Sequence, residues 1–196
     1  MGKKRSTLIT SIAIIALCAM VITGTTWALF ETEQTQTIVV SSASVAVDAY
    51  IDTEKLSSEN GTVDPETGVV TFPNGGTASV NKDGELVMTG ITPGDSITFD
   101  IKLSNAGDIP VDYEIEIAKG DKNNELAKAM EVTYKIIDPA TDQETDAHLT
   151  HNESAIVKVT VTFPAGKAGV DYDALQGIKD NKINVIVKAQ QVSEEG

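Results

Sequence analysis

The two imidazoles of the chain, His148 and His151, lie three residues apart in HLTHNE, with Glu153 close behind. On a helix that spacing puts both rings on one face, where a nearby carboxylate could complete a metal site. The neighbours Thr150 and Asn152 instead suit a surface turn ahead of the strand-like AIVKVTVTF, and they favour turn histidines over ligands. Clustered acids raise the question of calcium. DPATDQETD carries Asp138, Asp142, Glu144 and Asp146, and NKDGE carries Asp83 and Glu85. Calcium takes about six to eight oxygens, and its strongest sequence signal is a tight D-x-D-x-D-G loop. Neither stretch has that loop, so a solvated acidic surface is the default.

Covalent chemistry has less to work with. HExxH, GxSxG and the P-loop pattern are absent, and the single cysteine, Cys18, lies in an apolar N-terminal run. The glycine-rich PNGGT does not precede a helical pattern, so it reads as a turn and not a phosphate cradle. Tyr50, Tyr113, Tyr134 and Tyr172 are too scattered to form a sugar-stacking platform. The expectation is a protein that is not an enzyme and carries no cofactor and no metal.

What positions these residues is a set of strands. Ile97, Phe99, Ile101 and Leu103 alternate with Thr98, Asp100 and Lys102; Val111, Tyr113, Ile115 and Ile117 alternate with Asp112, Glu114 and Glu116. Val132, Tyr134 and Ile136 continue the pattern, as do Val157, Val159, Val161 and Phe163, then Ile183, Val185 and Val187. A period of two means one buried and one wet face per strand. Turn chemistry separates them in DPETG, PNGG, NKDGE, TPGD, NAGDIP and PAGKAG. KDG between TASV and ELVMT predicts a hairpin loop with its glycine in the left-handed region. Asn124 to Met130 predicts a short helix, and Tyr172 to Gly177 one or two helical turns. The expected fold is all-β, a jelly-roll-like β-sandwich with one or two short helices.

The N-terminus reads as an export signal. Lys3, Lys4 and Arg5 precede an uncharged, mostly apolar stretch from Leu8 to Ile22, and Thr26-Trp27-Ala28 then offers a small residue at the cut. The expected organisation is a signal peptide over 1–28, an N-terminal arm or donor strand over 29–43, and a sandwich domain over 44–196. Cleavage before Leu29 removes three basic residues and no acids, taking the formal charge from −14 to −17. A chain so acidic repels nucleic acid and anionic membrane surfaces, and it touches a membrane only through the uncleaved signal segment. Losing Cys18 leaves no disulfide, so packing alone must hold the domain.

The stretch GTTWALF followed by Glu31 resembles the signal regions of the TasA/camelysin family of Gram-positive secreted biofilm-matrix surface proteins. In that family an aromatic-rich T-[WY]-A-x-F segment straddles the cut of a dedicated signal peptidase, and Thr26, Trp27, Ala28 and Phe30 match it. GITPGDSITFDIKLSNAGDIPVDYEIEI is similar to a central family block, through Pro93, Gly94, Asp95, Asn105 and Gly107, and INVIVKAQQ to its last strand. The resemblance implies a jelly-roll-like sandwich, export to the extracellular matrix or cell surface, and assembly into matrix fibres with itself or with other matrix proteins. The metallopeptidase activity attributed to some members has no HExxH here to carry it.

Physical reasoning reaches assembly independently. Thr37, Ile38, Val39 and Val40 are strand formers close to the new N-terminus. Such a strand can pair within its own domain or fill the sheet of the next subunit. The function expected is a secreted structural subunit of a fibre or biofilm matrix assembling by β-strand exchange; the alternative is a monomeric cell-surface binding or adhesin module.

Overall fold

Phe99 lies directly opposite Val159, and Val159 opposite Tyr134, across three neighbouring antiparallel strands. This ladder is the middle of one of two sheets. The computed structural model describes residues 35–42, 47–119, 125–175 and 181–192. Its strands are β1 (Thr35–Ser42), β2 (Val47–Ser57), β3 (Thr62–Val63), β4 (Val70–Thr71), β5 (Thr77–Val80), β6 (Leu86–Thr89) and β7 (Ser96–Asn105). They continue as β8 (Val111–Ala118), β9 (Glu131–Asp138), β10 (Gln143–Glu144), β11 (His148–Leu149), β12 (Ser154–Thr162) and β13 (Asn181–Gln191). A single short helix, α1 (Glu125–Ala129), precedes β9 among the described residues.

The strands form a two-sheet sandwich. The larger sheet runs β11-β8-β13-β1-β6-β5-β4-β3 and the smaller runs β10-β9-β12-β7-β2. The all-β expectation is met, and the alternating residues form the core. Ile97, Phe99, Ile101 and Leu103 are buried against Val157, Val159 and Val161, with Ile183, Val185 and Val187 from the other sheet. On the wet face the same two strands are joined by hydroxyl pairs, Thr98 with Thr160 at 2.9 Å and Ser96 with Thr162 at 3.1 Å. Tyr134 departs from the expected burial, being 41% exposed although it pairs with buried Val159. Its strand has only the two-residue β10 beyond it, so the sheet thins there and the ring reaches solvent.

Turns fix the ends. Gly84 has φ 76° in the β5–β6 hairpin, where Asn81 Oδ1 accepts the Asp83 and Glu85 amides at 2.9 and 3.0 Å. The predicted glycine position is therefore occupied as expected. Gly76 is required for a different reason: a Cβ there would lie 2.3 Å from the Gly90 carbonyl oxygen, a clash of backbone with side chain. In the Pro93-Gly94-Asp95 turn, Asp95 Oδ2 accepts the Thr92 amide at 2.6 Å, and the Gly94 amide donates to the Phe163 carbonyl, also at 2.6 Å. That turn thus ties the start of β7 to the end of β12.

Helix α1 lies within the stretch expected to be helical and buries Leu126, Ala127 and Ala129. The second expected helix is not formed over its described part, Tyr172 to Leu175, which is a turn. The Tyr172 hydroxyl donates to the Pro164 carbonyl at 2.5 Å and accepts the Lys167 amide at 2.8 Å, while its ring packs at 5.6 Å from Phe163. These tertiary bonds outweigh a weak helical preference. Among the described residues no helix is long and apolar enough to cross a membrane. The expected processing residues Thr26, Trp27, Ala28 and Leu29 lie outside the described residues.

Candidate functional site

Strand β1 occupies the middle of the larger sheet. It pairs in parallel with β13, with Ile38 opposite Ile183 and Val40 opposite Val185, and antiparallel with β6, with Ile38 opposite Leu86. Every other pairing between described strands is antiparallel. Alternation decides which residues enter the core: Gln36 and Ile38 are fully buried and Val40 packs against the core, while Thr37 and Val39 face the other way beside Val87 and Asn184. The segment expected as an arm thus contributes a central strand of its own chain's sheet. Burying Ile38 contributes about 1.5–3 kcal/mol, and the half-buried Val40 contributes less.

The consequence for the sheet is structural division. Only β1 joins β13 to β6, so without it the larger sheet becomes β11-β8-β13 and β6-β5-β4-β3. The gap between them would expose Leu86, Met88, Ile183 and Val185, all buried in the intact fold, and two unpaired strand edges. Residues 43–46, four in number, link β1 to β2 on the opposite sheet. The slot therefore accepts a strand by main-chain pairing and two apolar side chains.

The other expected candidates resolve into structural roles. His148 sits in β11, its Nδ1 at 2.7 Å from Asp112 Oδ1 on β8, whereas His151 sits in the following turn with Nδ1 at 2.8 Å from the Gly107 carbonyl. The two rings thus engage separate partners and share no helical face. Glu153 caps their turn, accepting the Thr150 amide at 2.7 Å and hydroxyl at 2.8 Å, and those bonds hold its carboxyl below the usual range. Asp138 caps the β9–β10 turn by accepting the Ala140 amide at 2.8 Å. Among the described residues no group of three or more His, Cys, Asp or Glu side chains could hold a metal ion.

Asn105, singled out in the sequence block, is a knot of loops. Its Nδ2 donates to the Ile109, Leu149 and Thr150 carbonyls at 3.0, 3.3 and 3.1 Å, and its Oδ1 accepts the Gly107 amide at 2.9 Å. This fastens the β7–β8 connection to the turn after β11. The tyrosines are dispersed, with Tyr50 55% exposed on β2 and Tyr113 5% exposed in the core. Burial pushes the Tyr113 hydroxyl up to about 12, so it stays protonated at neutral pH.

Sequence reasoning missed a pair of carboxylates. Asp52 on β2 lies directly opposite Asp100 on β7, each 8% exposed. Burial works against the Asp52 carboxylate, but the Lys102 ammonium at 2.8 Å and the Glu54 amide hold its pKa below the ordinary value. Asp100 has no such hydrogen bond to offset its burial, and its pKa is raised despite the charge of Lys158. Period-two alternation marks both as outward residues; only the strand pairing shows that they meet.

The comparisons add no identity: no protein-family model matches the chain, and no curated protein does either.

Proposed function

We propose that this chain is a secreted structural subunit of an extracellular fibre or biofilm matrix, and that copies assemble by exchanging β1. The observation that carries the reading is the position of β1: an N-terminal strand, linked by four residues to the rest, that alone bridges two halves of one sheet. A strand supplied by another copy makes the same main-chain bonds and buries the same Ile38 and Val40. Head-to-tail donation that does not close into a ring propagates a filament. The resemblance of Thr26, Trp27, Ala28 and Phe30 to a processing segment supports export and release by a dedicated signal peptidase.

A second reading has its own support. β1 fills the slot of its own chain, as expected of a monomeric cell-surface binding or adhesin module. Electron microscopy of the mature chain separates the two. At −17 per subunit, neighbours repel, so filaments should grow more readily in salt and in mild acid, where carboxylates near a pKa of about 4 begin to protonate. Absence of filaments across those conditions favours the monomeric module. N-terminal sequencing of exported protein should begin at Leu29, and replacing Ala28 with a bulky residue should keep the chain in the membrane fraction; secreted material that retains Trp27 would refute that processing.

A further inference from the structure

We propose that the outer face of the smaller sheet docks a second copy of this chain, face to face, about a two-fold axis that runs parallel to the strands between β7 and β12. The contact is separate from the β1 slot, which lies in the other sheet. Strand register sets the outward side chains of the smaller sheet in rows that cross the strands. One row reads Asp52, Asp100, Lys158 and Lys135 along β2, β7, β12 and β9. The row beside it reads Tyr50, Lys102, Ile156 and Ile137, with Glu144 beyond on β10. On the other side Thr98, Thr160 and Thr133 make a third row. In the first two rows three lysines balance three acids, on a mature chain of −17. A second copy can therefore approach here without net local repulsion.

The order of the charges selects the partner and its alignment. Minus, minus, plus, plus is antisymmetric about its midpoint. A two-fold axis at that midpoint exchanges β7 with β12 and β2 with β9. Asp100 then faces the partner's Lys158 and Asp52 faces the partner's Lys135, each contact being repeated by symmetry. The same operation sets Thr98 over the partner's Thr160, and Tyr50, 55% exposed, over the partner's Ile137. An axis moved onto β7 stacks Asp100 on the partner's Asp100, and one moved onto β12 stacks Lys158 on the partner's Lys158. Turned across the strands, it sets every charge against its own sign, so a single alignment matches. Asp100 is the group that gains most. It is 8% exposed, and among the described residues its carboxylate accepts no hydrogen bond and forms no ion pair. Asp52 is already held by Lys102, and Lys135 by Glu144. The partner's Lys158 would bring Asp100 the ammonium that it lacks. Four overlapping strands cover roughly 20 Å by 30 Å, of the order of the ~800 Å² per partner in a standard interface.

Charge exchange tests this face apart from strand exchange. Thr37→Cys with Val87→Cys, oxidised within the chain, locks β1 in its own sheet, so any association that remains does not come from β1. Sedimentation of the locked mature chain should show a monomer–dimer equilibrium. Lys135→Glu with Lys158→Glu makes the charged row wholly acidic, and Asp52→Lys with Asp100→Lys makes it wholly basic. Each variant alone should dimerise at least about a hundredfold more weakly than the parent, and an equimolar mixture should recover the affinity to within about tenfold. A locked parent that stays monomeric up to about 1 mM overturns the proposal. So do variants that dimerise as tightly as the parent, or a mixture of two cooperatively folded variants that fails to associate. Where a charge variant does not fold, single cysteines decide, since residues 29–196 contain none. Thr160→Cys would lie about one strand spacing from its mate across the axis and should give a covalent dimer with a short bismaleimide. Ser79→Cys, on β5 of the larger sheet, should not. Equal dimer yields from the two positions overturn the proposal.

Discussion

The inner strands of the two sheets are held in different ways. β7 and β12 pair over nine consecutive positions, from Ser96 opposite Thr162 to Ser104 opposite Ser154. Side-chain and turn bonds lock both ends: the Asp95 turn reaches Phe163, and Asn105 binds the turn that leads into β12. β1 pairs with β6 over only four positions, Thr35 to Ile38, and with β13 in parallel over seven, Gln36 to Ser42. Its apolar contribution to the core is Ile38 and Val40. The difference teaches that one central strand is built into its sheet and the other is inserted into it. An inserted strand is the part of a sandwich that another chain can replace.

The most severe way to break this contrast is to remove the inserted strand. Deleting residues 29–43 should abolish the stable folded monomer, because the loss opens the face formed by Leu86, Met88, Ile183 and Val185. A synthetic peptide of residues 29–43 should restore cooperative thermal unfolding. A truncated chain that melts at the parent temperature without peptide would show that β1 contributes nothing the slot needs.

A smaller effect tests the built-in strand. Phe99→Ala should cost about 3–5 kcal/mol in denaturant unfolding, while Thr98→Ala, which loses only its hydroxyl pair with Thr160, should cost about 0.5–1.5 kcal/mol. No added peptide should rescue Phe99→Ala. Equal losses in the two variants would mean that the inward face of β7 is misassigned.

The smallest effect concerns the opposed carboxylates on the wet side of β7. Burial raises the Asp100 pKa above its ordinary 3.8, so folding favours the protonated acid. Its contribution to stability is fully present below that value and is lost as pH rises through the folded-state pKa. Asp100→Asn should therefore be more stable than the parent at pH 7, and the advantage should disappear as pH falls toward about 4. Asp52 behaves oppositely, its lowered pKa giving stability that is lost only in stronger acid. Melting temperatures from pH 7 to about 4 check the Asp100 sign, and continuing them to about pH 2 checks that of Asp52.

These contrasts also mark where the sequence was readable. Alternation located the buried faces of β7, β8, β12 and β13, and Asn81 to Glu85 announced the β5–β6 hairpin, because those signals are local. The pairing of Gln36 with residue 181 is not local, so nothing in TQTIVV identifies the slot it fills or the parallel direction. The same reason hid the meeting of Asp52 and Asp100. Tyr172 misled because its hydroxyl is claimed by Pro164 and Lys167, bonds that a helix-forming composition cannot foretell. For the histidines, spacing suggested a pair, and only the alignment of β11 with β8 separates them.

The central claim is that β1 can move from its own sheet into that of a neighbour, and cross-linking measures this directly. Thr37→Cys and Val87→Cys, placed together in the mature chain, lie opposite each other across β1 and β6. Oxidised as a dilute monomer, the protein should form the bond within one chain. Oxidised after growth into filaments, it should yield a covalent ladder of dimers, trimers and longer species on a denaturing gel. Filaments whose cross-links remain within single chains would contradict strand exchange.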